Sequence, residues 1–165
     1  MRLLSGRLPV RLAKGRLSLS QAARNGAVVV EGAIVLGVVL IFLLGMFDLA
    51  TAVLRFNILS EAARRGAREA IVRGELSEPE RESWGPTPFN GTAADSSEIA
   101  LLIQSALVSL DPTDVSITAE WPDGGNARDD RVRVGVSYSH NLIFSYLFGS
   151  EPVVLKGAST MRIQH

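Results

Sequence analysis

From Ala27 to Leu54 the chain carries only two charges, Glu31 and Asp48, and the sixteen residues between them carry none. At ~1.5 Å per residue a helix over Ala27–Phe47 spans roughly 30 Å, the thickness of a hydrocarbon core. The pattern therefore predicts a membrane-crossing helix. A buried helix of a soluble domain is the bland alternative, but so long a run with so few charges is more than a small domain can surround. Helical spacing continues beyond it. Leu54, Ile58, Ala62, Gly66 and Ala70 fall on one edge with Leu59, Ala63 and Ala67 beside them, so the same rod is expected to reach about Arg73. A glycine in mid-helix costs about 1 kcal/mol against alanine. Ala63, Gly66 and Ala70 are accordingly expected to be helix-packing residues, against the chain's own sheet or against another subunit.

Gly74 to Ser97 is rich in Glu, Pro, Gly and Ser and reads as a long surface loop, with Trp84 and Phe89 to pin it. Ser96 or Ser97 then caps a second helix running to about Leu110, with Ile99, Leu102, Ile103, Ala106 and Leu110 as its apolar stripe. Three strands are expected after it. Val115, Ile117, Ala119 and Trp121 alternate with polar residues, as do Val132, Val134, Val136 and Tyr138, and the Pro122–Asn126 turn between them suggests an antiparallel hairpin. The last strand runs from Pro152 to about Ile163, with Lys156-Gly157 as a candidate bulge. Leu142–Phe148 is the one dense apolar cluster outside the long helix, and it either caps the core or meets a partner. The fold class is α+β: a long N-terminal helix extending into a small domain, where a second helix packs on a roughly three-stranded antiparallel sheet.

Charge gives this picture a direction. Everything before Gly26 is basic, with Arg2, Arg7, Arg11, Lys14, Arg16 and Arg24 and no acid. Such a cluster beside a span fixes the N-terminus in the cytoplasm and the C-terminal domain outside; Arg64, Arg65 and Arg68 on the far side oppose this mildly. The chain divides into a basic leader at 1–26, a transmembrane helix at 27–54 and an extracytoplasmic α+β domain at 55–165. Loss of the leader would leave 11 basic residues against 17 acidic, a net charge of −6. That speaks against nucleic acid as a partner, since phosphate binding needs a surplus of Lys and Arg. The 165 residues contain no cysteine, so disulfides and thiolate metal sites are excluded.

Gly26-Ala27-Val28-Val29-Val30-Glu31 places a carboxylate fifth in the apolar run, directly after a glycine. A charge inside a membrane helix costs about 2.5–3.5 kcal/mol on insertion scales, so Glu31 needs a partner. The arrangement resembles the class III leader of type IV prepilins, which is cut after a Gly and leaves the apolar helix on the mature protein; an ordinary secretory signal is cut behind its apolar stretch. Gly-Ala-x-x-Val-Glu-Gly-Ala at Gly26, Leu44-Gly45-Met46-Phe47-Asp48, and Glu61-Ala62-Ala63-Arg64-Arg65-Gly66-Ala67-Arg68 together resemble the TadE-like pseudopilins. Gly32 stands where that family usually has an aromatic or other apolar residue, and Leu49-Ala50 replaces its common Phe-Gly. The resemblance implies cleavage by a prepilin peptidase between Gly26 and Ala27 and pairing of Glu31 with a neighbour's freed N-terminal amine. It also implies other pseudopilins, the pilin and an inner-membrane assembly platform as partners.

Little else in the chain carries chemistry. His140 and His165 have no second ligand at metal spacing, and no phosphate loop or nucleophile elbow occurs. Asp123, Asp129 and Asp130 lie in a turn, where acids are ordinary, and do not follow a calcium-loop spacing. Asp48 falls near the outer interface, where a structural role suffices. The expected protein is not an enzyme and has no cofactor, metal or small-molecule substrate. It is a single-pass minor pseudopilin of a tight-adherence (Flp-type) pilus in the bacterial cytoplasmic membrane, acting in assembly or initiation, its entry into the filament left open. The alternative is an uncleaved, signal-anchored structural or binding subunit of an envelope complex unrelated to pili.

Overall fold

The computed structural model describes residues 15–77, 81–143, 145, 149 and 151–164, with side chains from 26 onward. The element order is α1 (Gly15–Ala70), β1 (Phe89–Thr92), α2 (Glu98–Gln104), a 3-10 turn (Pro112–Asp114), β2 (Val115–Glu120), β3 (Arg131–His140) and β4 (Val153–Arg162). Contacts divide it into two compact units, Met1–Leu43 and Leu44–His165. The first contains, among its described residues, only helix. Of the leader, Met1–Lys14 lies outside the described residues, whereas Gly15 to Gly26 is helical.

The second unit is α+β. Its helix ends at Ala70 rather than Arg73, because the next residues wind tighter: Val72 N–H donates to the Glu69 carbonyl and Arg73 N–H to that of Ala70. Ser97 caps α2, its hydroxyl accepting from the Ala100 N–H. That helix is shorter than the stripe to Leu110 suggests. Ser105 closes it, Ser109 adopts φ 63°, and Leu110 reaches the core from a turn.

Among the described residues the sheet has four strands in the order β1-β2-β3-β4, all antiparallel. The expected count of three missed β1, which lies inside the segment read as loop. Only Phe89 of its four residues is a large apolar side chain, and Asn90-Gly91 are turn formers, so no alternation announces it. Pairing with β2 makes it a strand, Phe89 opposite Ala119 and Thr92 opposite Ser116.

The core lies between the buried sheet face and the two helices. Val115, Ile117 and Ala119 of β2 and Val132, Val134 and Val136 of β3 are buried with Leu59, Ala62, Ala63, Ala67 and Ala70 of α1 and Ile99, Ala100 and Ile103 of α2. Leu54 is 59% exposed, so the core stripe of α1 begins at Ile58. A Cβ on Gly66 would stand 3.0 Å from Val134 and 3.3 Å from Ile103, so this glycine is the seat on which α1 meets β3 and α2. Gly157 is no bulge. Its register is regular, opposite Val136, and the space of its missing side chain holds the α1 backbone at Leu59 and Ser60.

Candidate functional site

In the first unit, Glu31 is exposed on α1 among Val28, Val29, Val30, Ile34 and Val35, each more than half exposed. Gly26, Gly32 and Gly37 have no neighbouring atom within 4 Å of where a Cβ would stand. The helix over Gly26–Ala70 is long and apolar enough to cross a membrane, and none of its most apolar 18-residue window is buried. Such a surface needs lipid or other helices around it. Ala27 is exposed beside Gly26, and both lie within α1.

A different polar centre lies in the second unit, where α1 meets the end of β3. Asp48 is only 4% exposed, and its Oδ1 accepts the Ile143 N–H at 2.8 Å. The carboxylate therefore holds the start of the segment after β3, rather than reaching to water. Two turns along, the Arg55 guanidinium lies 2.6 Å from Nδ1 of His140, 3.4 Å from the Tyr138 hydroxyl and 5.2 Å from the centre of the Tyr138 ring. Arginine can only donate, so Nδ1 of His140 accepts and the ring proton sits on Nε2. His140 is 2% exposed, and among the described residues its buried Nε2 has no hydrogen-bond partner of good geometry. Burial, and then the Arg55 charge, hold its pKa below the usual histidine value, while Asp48 pulls more weakly the other way. Gly45, Asp48, Leu49, Ala52, His140, Leu142 and Val153 line an open pocket of about 360 Å³ here. Of the Leu142–Phe148 cluster, Leu142, Ile143 and Ser145 belong to the described residues, and the rest lies outside them.

Other singled-out residues serve the fold. Arg73 stacks on Trp84 at 4.6 Å and pairs with Glu69 at 2.9 Å and with Glu98, tying the end of α1 to the loop and to α2. Asn126 accepts from Trp121 Nε1 and donates to Ser83, both at 3.0 Å. Asp123 grips the backbone and guanidinium of Arg131, whose bonds hold its carboxyl down at about 2. Asp130 accepts the Ala127 N–H. Among the described residues no three His, Cys, Asp or Glu side chains gather as metal ligands. Ala63, Gly66 and Ala70 are buried inside the second unit, whereas Gly26, Ala27 and Glu31 stand exposed in the first. The Asp48–Arg55–His140 cluster escapes a sequence reading because its members are up to 92 positions apart and sit at no motif spacing.

Residues 26–68 match the family model of TadE-like proteins. This stretch, from the glycine before the apolar run to the last arginine of the Ala-Ala-Arg-Arg-Gly-Ala-Arg segment, is TadE-like. No curated protein and no solved structure matches the chain.

Proposed function

We propose that the protein is a minor pseudopilin of a tight-adherence pilus system, anchored by one span in the bacterial cytoplasmic membrane with its α+β domain outside. Its work is structural rather than enzymatic. A prepilin peptidase removes the basic leader between Gly26 and Ala27, and the protein then joins other pseudopilins and the pilin on an inner-membrane assembly platform. The observation that carries the reading is Glu31: the single charge of the exposed apolar Ala27–Phe47 run, fifth after Gly26, inside the stretch that matches the TadE-like model.

The physics supports it. An α-amine with an ordinary pKa near 7.7–8.0 is charged at neutral pH, and pairing with such a cation is how a carboxylate is tolerated in a low-dielectric setting. Cleavage supplies that amine, four residues before the acid. A peptidase must also draw its substrate out of α1, and glycine at position 26, a weak helix former, lowers the cost of unwinding there.

A second reading is an uncleaved envelope subunit, favoured by the run of α1 from Gly15 straight through Gly26. Intact-mass measurement of the protein from its host, with and without the peptidase, separates them. A mature chain beginning at Ala27 only when the peptidase is present supports the pseudopilin; a chain still carrying residues 1–26 in both strains refutes it.

A further inference from the structure

We infer that copies of this chain dock on one another, the arginine stripe of α1 in one copy entering an acidic, aromatic pocket beside α2 in the next. This contact rests on the assembly role proposed above and gives it a surface and a partner, a second copy.

The stripe is the part of the TadE-like match that the fold leaves unused. Within residues 61–68, Ala62, Ala63, Gly66 and Ala67 are buried in the core, whereas Arg64, Arg65 and Arg68 are exposed. All three guanidiniums converge on one carboxylate, Glu61, at 3.7, 3.4 and 3.4 Å, and among the described residues none of them pairs outside α1. Two positive charges are left in excess. Like charges four apart on a helix repel, as those of Arg64 and Arg68 do, so this stripe is arranged for a charge that α1 itself does not supply.

That charge is found elsewhere on the same domain. Gly74 to Glu98 carries six acids against one arginine. Here Glu82, Trp84, Phe89, Glu98 and Trp121 line a pocket of about 320 Å³, above the ~300 Å³ at which ligand sites begin. Glu82 is exposed and has no ion pair among the described residues, and Glu98, also exposed, receives Arg73 and the Trp84 Nε1–H on a single oxygen. Carboxylates only accept, and no cationic side chain lines the pocket, so its chemistry selects a positively charged donor.

The aromatic walls narrow the donor to a guanidinium, which stacks on an indole face while its N–H groups fork to a carboxylate. Arg73 already does both at the border of the pocket, lying 4.6 Å from the Trp84 ring and pairing with Glu98. Among the described residues no bond joins stripe to pocket within one copy. Each copy therefore carries both halves of the contact and can complete them only on a neighbour.

The chain has no cysteine of its own, so two introduced ones report the contact without background. A full-length Arg65→Cys copy, which keeps Arg64 and Arg68, and a differently tagged Thr87→Cys copy, marked on the pocket lining, are made together in the host membrane and treated with a short bismaleimide. A mixed adduct is expected. Arg64→Glu with Arg68→Glu in the first copy should abolish it, and Glu82→Arg in the second should bring it back, which shows the loss to be one of charge and not of folding. The contact is overturned by an adduct that survives the first reversal, by a loss that the second does not repair, by adducts formed only between Arg65→Cys copies, or by a Thr87→Cys copy joined only to other proteins. The N-terminus is read in the same sample. A cut chain without the mixed adduct overturns this contact alone, whereas a leader still attached refutes the pseudopilin reading and, with it, the assembly that the contact serves.

Discussion

Gly157 on β4 lies so close to Leu59 on α1 that a Cβ there would stand 2.6 Å from the Leu59 carbonyl carbon and 2.7 Å from its oxygen. Backbone cannot yield as a flexible side chain can. Gly157→Ala must push α1 off the sheet, and overpacking of this kind costs about 1–3 kcal/mol. At roughly 4–8 °C per kcal/mol for a domain of this size, a thermal melt of the purified protein should drop by several degrees or more. An unchanged melting temperature would mean that α1 and β4 are not in contact.

Gly66→Leu tests the other end of the same helix face. Val134 and Ile103 are 3.0 and 3.3 Å from the position of its Cβ, so the larger side chain should destabilise the domain itself. The melt should fall before any effect on assembly is considered. A normal melt with failed co-purification of pseudopilins would instead assign this face to a partner.

Asp48→Ala removes an acceptor from the Ile143 N–H, and a buried group left unpaired costs about 1–3 kcal/mol. Hydrogen exchange is the direct measure. The Ile143 amide should exchange faster in the variant while the amides of β2 keep their protection; loss of protection throughout would show Asp48 holding up the whole domain.

Acid should weaken the fold through His140. Its folded pKa is depressed by burial and by Arg55, so the unfolded chain binds the proton more readily. Stability is then present above the unfolded value of about 6.5 and is lost as pH falls from there through the folded pKa. Protonation would set two cations 2.6 Å apart, with Asp48 the opposing charge and Tyr138 the remaining titratable neighbour. Denaturant midpoints measured between pH 7.5 and 5 should decline in the wild type and flatten in His140→Phe. Parallel profiles would exclude this histidine.

Glu31→Ala should leave cleavage and insertion intact while reducing recovery of pseudopilin complexes. Removing the carboxylate makes α1 more apolar but, under the proposed function, strands a neighbour's amine. Equal complex yield from variant and wild type would remove Glu31 from assembly.

Where periodicity was strong, the sequence reading and the structure agree: the alternation of Val132, Val134 and Val136 is the buried face of β3, and Ser97 is the cap of α2. β1 was illegible because four residues containing Asn-Gly have no period to detect, and only the β2 edge turns them into a strand. Gly157 was misread for a related reason. A lone glycine in a strand signals a bulge or a close approach, and its partner, Leu59, is 98 positions away. The Arg55–His140 pair likewise exists only once β3 has been laid beside α1. Gly26 and Glu31 stood out because their meaning is local: a charge where the surrounding chain is apolar.

The ladder that ends in β4 is open on its far side: among the described residues no strand pairs beyond it, and it is ten residues long where the opposite border, β1, has four. A long bare border is a template on which a second chain can stack. Its guard is uneven. Lys156 and Arg162 put exposed charges on the strand, but Val153-Val154-Leu155 carries none, and Val153 and Val154 are about half exposed. Chains held in one membrane at high density meet side by side, so this uncharged tripeptide is where unwanted fibre-like stacking would nucleate, and Val154→Lys is the change that would keep overproduced protein dispersed.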